Sequence, residues 1–159
     1  LRNISIPQTC VDEQDCPAWM RKGFALFRRL DSLDYYPYPQ DDKTHQSLEV
    51  YPHAGYTVLL GHLPLPKHSL EGRLQRQLVL YDSDLNVPDP MLIFEEITRH
   101  RIRQGIFPLD DLHSAFELDA LVAAYTAWMA GTKPDQVTLM GHPDEGFLVL
   151  PAAELKNRY

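Results

Sequence analysis

The chain has 159 residues, 44% of them hydrophobic and 23% charged, the size and balance of one globular domain able to bury roughly 70% of its unfolded surface. A net charge of −7 argues against a non-specific duplex binder, because such proteins gain affinity from basic surfaces that release counterions. A nucleic-acid enzyme stays open, since bound divalent cations reverse the local sign of an acidic site.

No apolar run approaches the ~20 residues of a membrane span. Cys10 and Cys16 are too few for a disulfide scaffold, so reduced thiols and a cytoplasmic location are expected. Leu1 to Ile6 alternates and stops at Pro7, as a strand would. From Cys16 to Leu33 the apolar residues Trp19, Met20, Phe24, Phe27 and Leu30 recur at helical steps. Arg21, Lys22, Arg28 and Arg29 share that helix and read as its solvated face. A Pro- and Tyr-rich connector, Asp34 to Gln46, precedes a strand at Leu48–Tyr51, with Pro52 as a helix-stopping residue. A short apolar helix follows near Tyr56 to Gly61, and Ser69 caps another running to about Tyr81. Asp89 and Pro90 open a helix to about Gln104, with Met91, Phe94, Ile97 and Ile102 as its core side. The longest helix spans about Leu112 to Ala130, burying Leu118, Leu121, Val122, Tyr125 and Met129, and Gly131 and Pro134 stop it. Val137–Met140 and Phe147–Leu150 form a closing hairpin, with Asp144 and Glu145 as turn residues. So few short strands cannot cover these helices unless more sheet comes from outside the chain.

Two carboxylates sit where carboxylates are unusual. Glu49 lies in the strand-like segment, as an edge charge facing water or as half of a site. Asp119 lies in the longest helix, and its neighbours three and four residues away are Ala115, Phe116, Val122 and Ala123. No Lys or Arg occurs between Leu112 and Ala130, so a buried Asp119 needs a cationic partner from another element or from a metal. The alternative is an aspartate at the helix's solvent boundary. Hard cations such as Mg²⁺ take one or two carboxylates plus waters and substrate phosphates.

The segments LEVYPHAGY, PLPKHSLEGRLQRQL, ELDALVAAYTAW and GHPDEGFLVLP occur in an order that resembles domain-of-unknown-function family 429, over roughly Leu48 to Pro151. RKGFALFRRL from Arg21 is similar to the preceding helix of that family. The family is described as predicted nucleases with a ribonuclease H-like fold. The resemblance implies an α/β chain comprising the C-terminal part of that fold: several helices, a central strand and a terminal β-hairpin. It also implies acids on a first strand, at the end of a central strand and on a late helix, which together bind two metals. Glu49 takes the central-strand role and Asp119 the late-helix role, with Mg²⁺ or Mn²⁺ as the cofactor. The first-strand acid has no match. The chain opens on Leu1 without an initiating Met, and the resemblance implies that residues 1–159 are a single domain that is a C-terminal fragment of a larger one. The alternatives are a remaining part on a separate polypeptide or a degenerate relative of the family.

Lys67, Arg73 and Arg76 fall in the second of those segments, either positioning nucleic-acid phosphates or forming an ordinary solvated helix face. Glu117 is read as a surface residue or a supporting one, and His53 and His113 as candidates for proton transfer. The leading expectation is a metal-dependent nuclease hydrolysing RNA or DNA. The alternative is a non-catalytic nucleic-acid or protein interaction domain that retains the fold. Expected partners are a nucleic-acid substrate, the missing N-terminal portion or a second copy of the chain, and no membrane.

Overall fold

The computed structural model describes residues 12–142 and 146–159, so the expected strand at Leu1–Ile6, Cys10 and the turn residues Asp144 and Glu145 lie outside the described residues. The class is mixed α/β: six helices, a small parallel strand pair and a C-terminal antiparallel hairpin, counted among the described residues. The chain divides into two compact units, Leu1–Ser47 and Leu48–Tyr159.

In the first unit, helix α1 (Ala18–Asp31) follows Pro17, whose fixed φ suits a helix entrance. Arg28 pairs with Glu13 through two hydrogen bonds of 2.7 and 2.8 Å, so one of the basic residues read as solvated serves as a brace to the preceding turn. Cys16 is buried, its thiol donating to the Asp12 carbonyl at 3.4 Å. No residue of α1 is buried. Strands β1 (Tyr36–Pro37) and β2 (Gln46–Ser47) pair in parallel.

The second unit is built on α2 (Pro52–Leu60), α3 (Leu70–Asp82) and α6 (Ala115–Thr132). Their shared core contains Tyr56, Leu80, Leu118 and Val122, with Val87 from the following loop and Leu59, Leu60, Val79, Leu85 and Leu121 packed around it. Burial of four or five such side chains is the main stabilising contribution here, at about 1.5–3 kcal/mol each. Pro52 does not stop a helix; it opens α2 at the first position, where its missing N–H costs nothing. Gly61 closes α2 at φ 75°, a left-handed conformation that a Cβ disfavours.

The expected strand at Leu48–Tyr51 contracts to a single parallel bridge between Glu49 and Leu148, in which the Val149 N–H donates to the Glu49 carbonyl at 2.9 Å. The hairpin forms in the expected place, as β3 (Thr138–His142) and β4 (Gly146–Leu150). The helix expected from Pro90 to Gln104 is two short ones, α4 (Leu92–Glu96) and α5 (Arg99–Arg103). Ile97 turns extended between them, and the Thr98 side chain caps α5. That break re-aims the apolar face: Met91, Phe94 and Ile102 are exposed, while Ile93 is the buried residue of α4.

Helix α6 starts at Ala115 rather than near Leu112 because Ser114 and Glu117 form a capping box. The Ser114 N–H donates to the Glu117 carboxylate at 2.7 Å, and the Ser114 hydroxyl accepts from the Glu117 N–H at 3.3 Å. Those bonds, the backbone one foremost, hold the Glu117 carboxyl below its ordinary pKa of 4.5. A depressed folded value means that the contribution is complete above 4.5 and is lost as pH falls through the folded value. Ser114→Ala is expected to cost about 1 kcal/mol in urea unfolding. The stability difference between the unaltered chain and Glu117→Gln is expected to shrink as pH drops well below 4.5; a difference constant with pH would remove the carboxylate from the cap.

Candidate functional site: a carboxylate and two cations in one pocket

Three loops and helices converge on Asp119, and the convergence starts on α3. Gln77 is fully buried. Its amide nitrogen donates to the Pro88 and Asp111 carbonyls at 2.9 and 2.8 Å, and its oxygen accepts from the His113 N–H at 2.8 Å. One turn earlier, Arg73 donates to the His113 and Leu112 carbonyls at 2.8 and 2.7 Å. Residues four apart share a helix face, so Arg73 and Gln77 together clamp the segment that launches α6. That clamp fixes where the second turn of α6, and with it Asp119, stands.

Asp119 is half-buried and forms an ion pair with the Lys67 ammonium, which approaches it from the loop before α3. The carboxylate therefore has the cationic partner that its apolar surroundings require, supplied by a residue 52 positions away in sequence. Both line an open pocket of about 290 Å³ with Tyr51, His53 and Arg76. Arg76 is 1% exposed, which rules out the solvated-face reading for it. Its Nη1 donates to the Leu65 and Gly72 carbonyls at 2.9 and 2.8 Å, and its guanidinium stands 5.3 Å from the Tyr56 ring centre. Burial pulls the Arg76 pKa down, while Tyr56 and the Asp119 charge oppose that shift. The Tyr56 hydroxyl donates to the Leu118 carbonyl at 2.6 Å. Burial pushes its pKa well up, Asp119 adds in the same direction and Arg76 opposes, so the phenol stays neutral and serves as a structural donor.

Of the residues singled out from sequence, Asp119, Lys67, Arg76 and His53 come together in this pocket. Arg73 commits its guanidinium to the α6 clamp. Glu49 is exposed and lies outside the lining, two residues before Tyr51, which is part of it. His113 stands 4.0 Å from Glu117 at the start of α6. Sequence reasoning missed Gln77, Tyr51 and Tyr56. The signal for Gln77 was its position four residues after Arg73 on one helix face.

The donor set bears on the metal that the resemblance implies. Among the described residues no group of three or more His, Cys, Asp or Glu side chains comes together, so no closed protein-made cage exists there. A Mg²⁺-type ion keeps several waters and needs only one or two carboxylates plus substrate phosphate. The pocket lining offers one such carboxylate, Asp119, which is paired with Lys67.

A family model described as "Protein of unknown function (DUF429)" matches residues 8–145. No curated protein and no solved structure matches the chain. No helix among the described residues is long and apolar enough to cross a membrane.

Proposed function

The chain belongs to the DUF429 family, and from that premise we propose that it is a metal-dependent nuclease, hydrolysing phosphodiester bonds of RNA or DNA at the Asp119 pocket. The observation that carries the reading is the meeting of one carboxylate, two cations and a histidine in one open pocket. Phosphodiester transfer asks for such a mixture, with positive groups for the phosphate oxygens and carboxylates for a hard cation. The ribonuclease H-like arrangement belongs to the same proposal. It is supported by the single parallel bridge that sets Glu49 beside β4, and by the late helix α6 that carries the second acid.

Asp119 and Glu49 would hold Mg²⁺ or Mn²⁺, which when bound supplies Lewis acidity and lowers the pKa of water. Lys67 moves from the Asp119 carboxylate to a phosphate oxygen when substrate enters, an exchange of one anion for another that keeps its charge compensated. Arg76, anchored by its two carbonyl bonds, cannot follow and contributes a fixed positive potential behind the pocket. His53 accepts a proton from the water whose oxygen forms the new bond to phosphorus, the bond from phosphorus to the leaving oxygen breaks, and that oxygen takes a proton from solvent.

Labelled single- and double-stranded RNA and DNA are the test substrates, incubated with the full-length protein and Mg²⁺ or Mn²⁺. Cleavage is expected to fall by more than about 100-fold in Glu49→Gln and in Asp119→Asn, since even residues behind metal ligands cost 10- to 100-fold. Unchanged cleavage in both variants would sink the assignment. A second reading, an interaction domain without catalysis, is favoured by one observation: Lys67 already neutralises Asp119. Calorimetry separates the two, because retained nucleic-acid binding with no divalent-cation binding would select the interaction domain.

A further inference from the structure

Phe116 is 72% exposed, more than any other large apolar side chain seen in the structure. It sits on the first turn of α6, three residues before Asp119 and hence on the same face, about 4.5 Å along the axis. A single exposed phenylalanine carries no meaning by itself. This one shares a partner with the pocket. The Lys67 ammonium that pairs with Asp119 also stands 4.8 Å from the Phe116 ring centre, and the His68 ring meets Phe116 edge-on at 5.9 Å. An aromatic face, flanked by Lys67 and His68, therefore borders the proposed phosphate position.

We infer that Phe116 is a stacking platform for an unpaired nucleobase, flanking the phosphate bound in the Asp119 pocket, and that the substrate is single-stranded. The inference rests on the phosphodiester reading of that pocket and adds the strand class to it. Stacking on an aromatic ring needs a free base face, which a duplex interior does not offer, and the nearby Lys67 supplies the charge for the adjoining phosphate. When Lys67 shifts to that phosphate, it also uncovers the ring face on which the base lies. Phosphate contact and base stacking are thus coupled through one side chain.

The test is fluorescence anisotropy with a fluorescein-labelled single-stranded DNA of cleavage-resistant phosphorothioate linkages, in Mg²⁺ at fixed salt, which keeps the cation present and cleavage out of the measurement. Phe116→Ala is expected to weaken binding about 5- to 150-fold. Binding of an abasic strand of equal length is expected to be weak already and nearly insensitive to the substitution. Phe116→Trp is expected to retain affinity and to show tryptophan quenching on strand addition, and circular dichroism of both variants should match the parent. An unchanged affinity in Phe116→Ala, or duplex bound as tightly as single strand, overturns the platform while leaving the pocket's phosphodiester reading intact. Failure of the unaltered protein to bind any strand overturns both.

Discussion

Arg76→Ala is expected to lower the unfolding free energy by about 3–5 kcal/mol, the sum of a large-to-small core truncation and lost carbonyl hydrogen bonds. The side chain is 1% exposed and fills the space between the Leu65 carbonyl, the first turns of α3 and the Tyr56 ring. Truncation opens that space and removes the donor to Leu65, which in turn anchors the loop carrying Lys67. Arg76→Met behaves differently. It retains most of the volume and deletes a charge that burial already disfavours, and such replacements are often close to neutral. Its expected cost is below about 2 kcal/mol in urea unfolding. The pair of variants separates two roles. A guanidinium kept only for packing leaves Arg76→Met folded with normal nucleic-acid binding. A guanidinium kept for its positive potential in the pocket leaves the protein folded and binding weakened. An alanine variant within 1 kcal/mol of the parent would contradict the burial itself.

Elements whose signals are local were legible in the chain. Ser69 as the cap of α3 follows from one polar side chain before an apolar period, and the hairpin follows from two apolar runs around a turn. The start of α6 is masked in the sequence because Leu112 is buried like the helix's own residues, so apolar spacing continues upstream of the Ser114 cap. The split between α4 and α5 hides for a similar reason: Thr98 interrupts a run whose apolar spacing continues on both sides.

The site divides along the same line. Asp119 was recognisable as an acid on an apolar helix strip without a local cation. Its pairing with Lys67, the burial of Arg76 and the clamp by Arg73 and Gln77 all depend on contacts across tens of residues. Hydrophobic periodicity carries no information about such pairings, since it reports only which face an element buries.

Gly72→Ala reverses the sign that helix propensity assigns to it. Alanine in a helix interior is favoured over glycine by about 1 kcal/mol, yet a loss of about 3 kcal/mol is expected here, at the upper end of overpacking costs. An added Cβ would lie 2.0 Å from the Pro66 carbonyl oxygen and 3.1 Å from Arg76 Nη1. The first contact is with backbone, so no rotamer relieves it. Pro66 is also held, because its carbonyl accepts from the Ser69 N–H at 3.1 Å and from the Ser69 hydroxyl at 2.9 Å. The loop must therefore move away from α3 as a unit, taking Lys67 with it. Guanidinium unfolding measures the first consequence. The second is a functional one, since displacing Lys67 separates it from Asp119 and from the Phe116 ring together. Nucleic-acid binding in Gly72→Ala should then fall even under conditions where the variant is fully folded. A stabilised Gly72→Ala, following propensity, would mean that Pro66 does not approach α3 as described, and the placement of Lys67 in the pocket would fall with it.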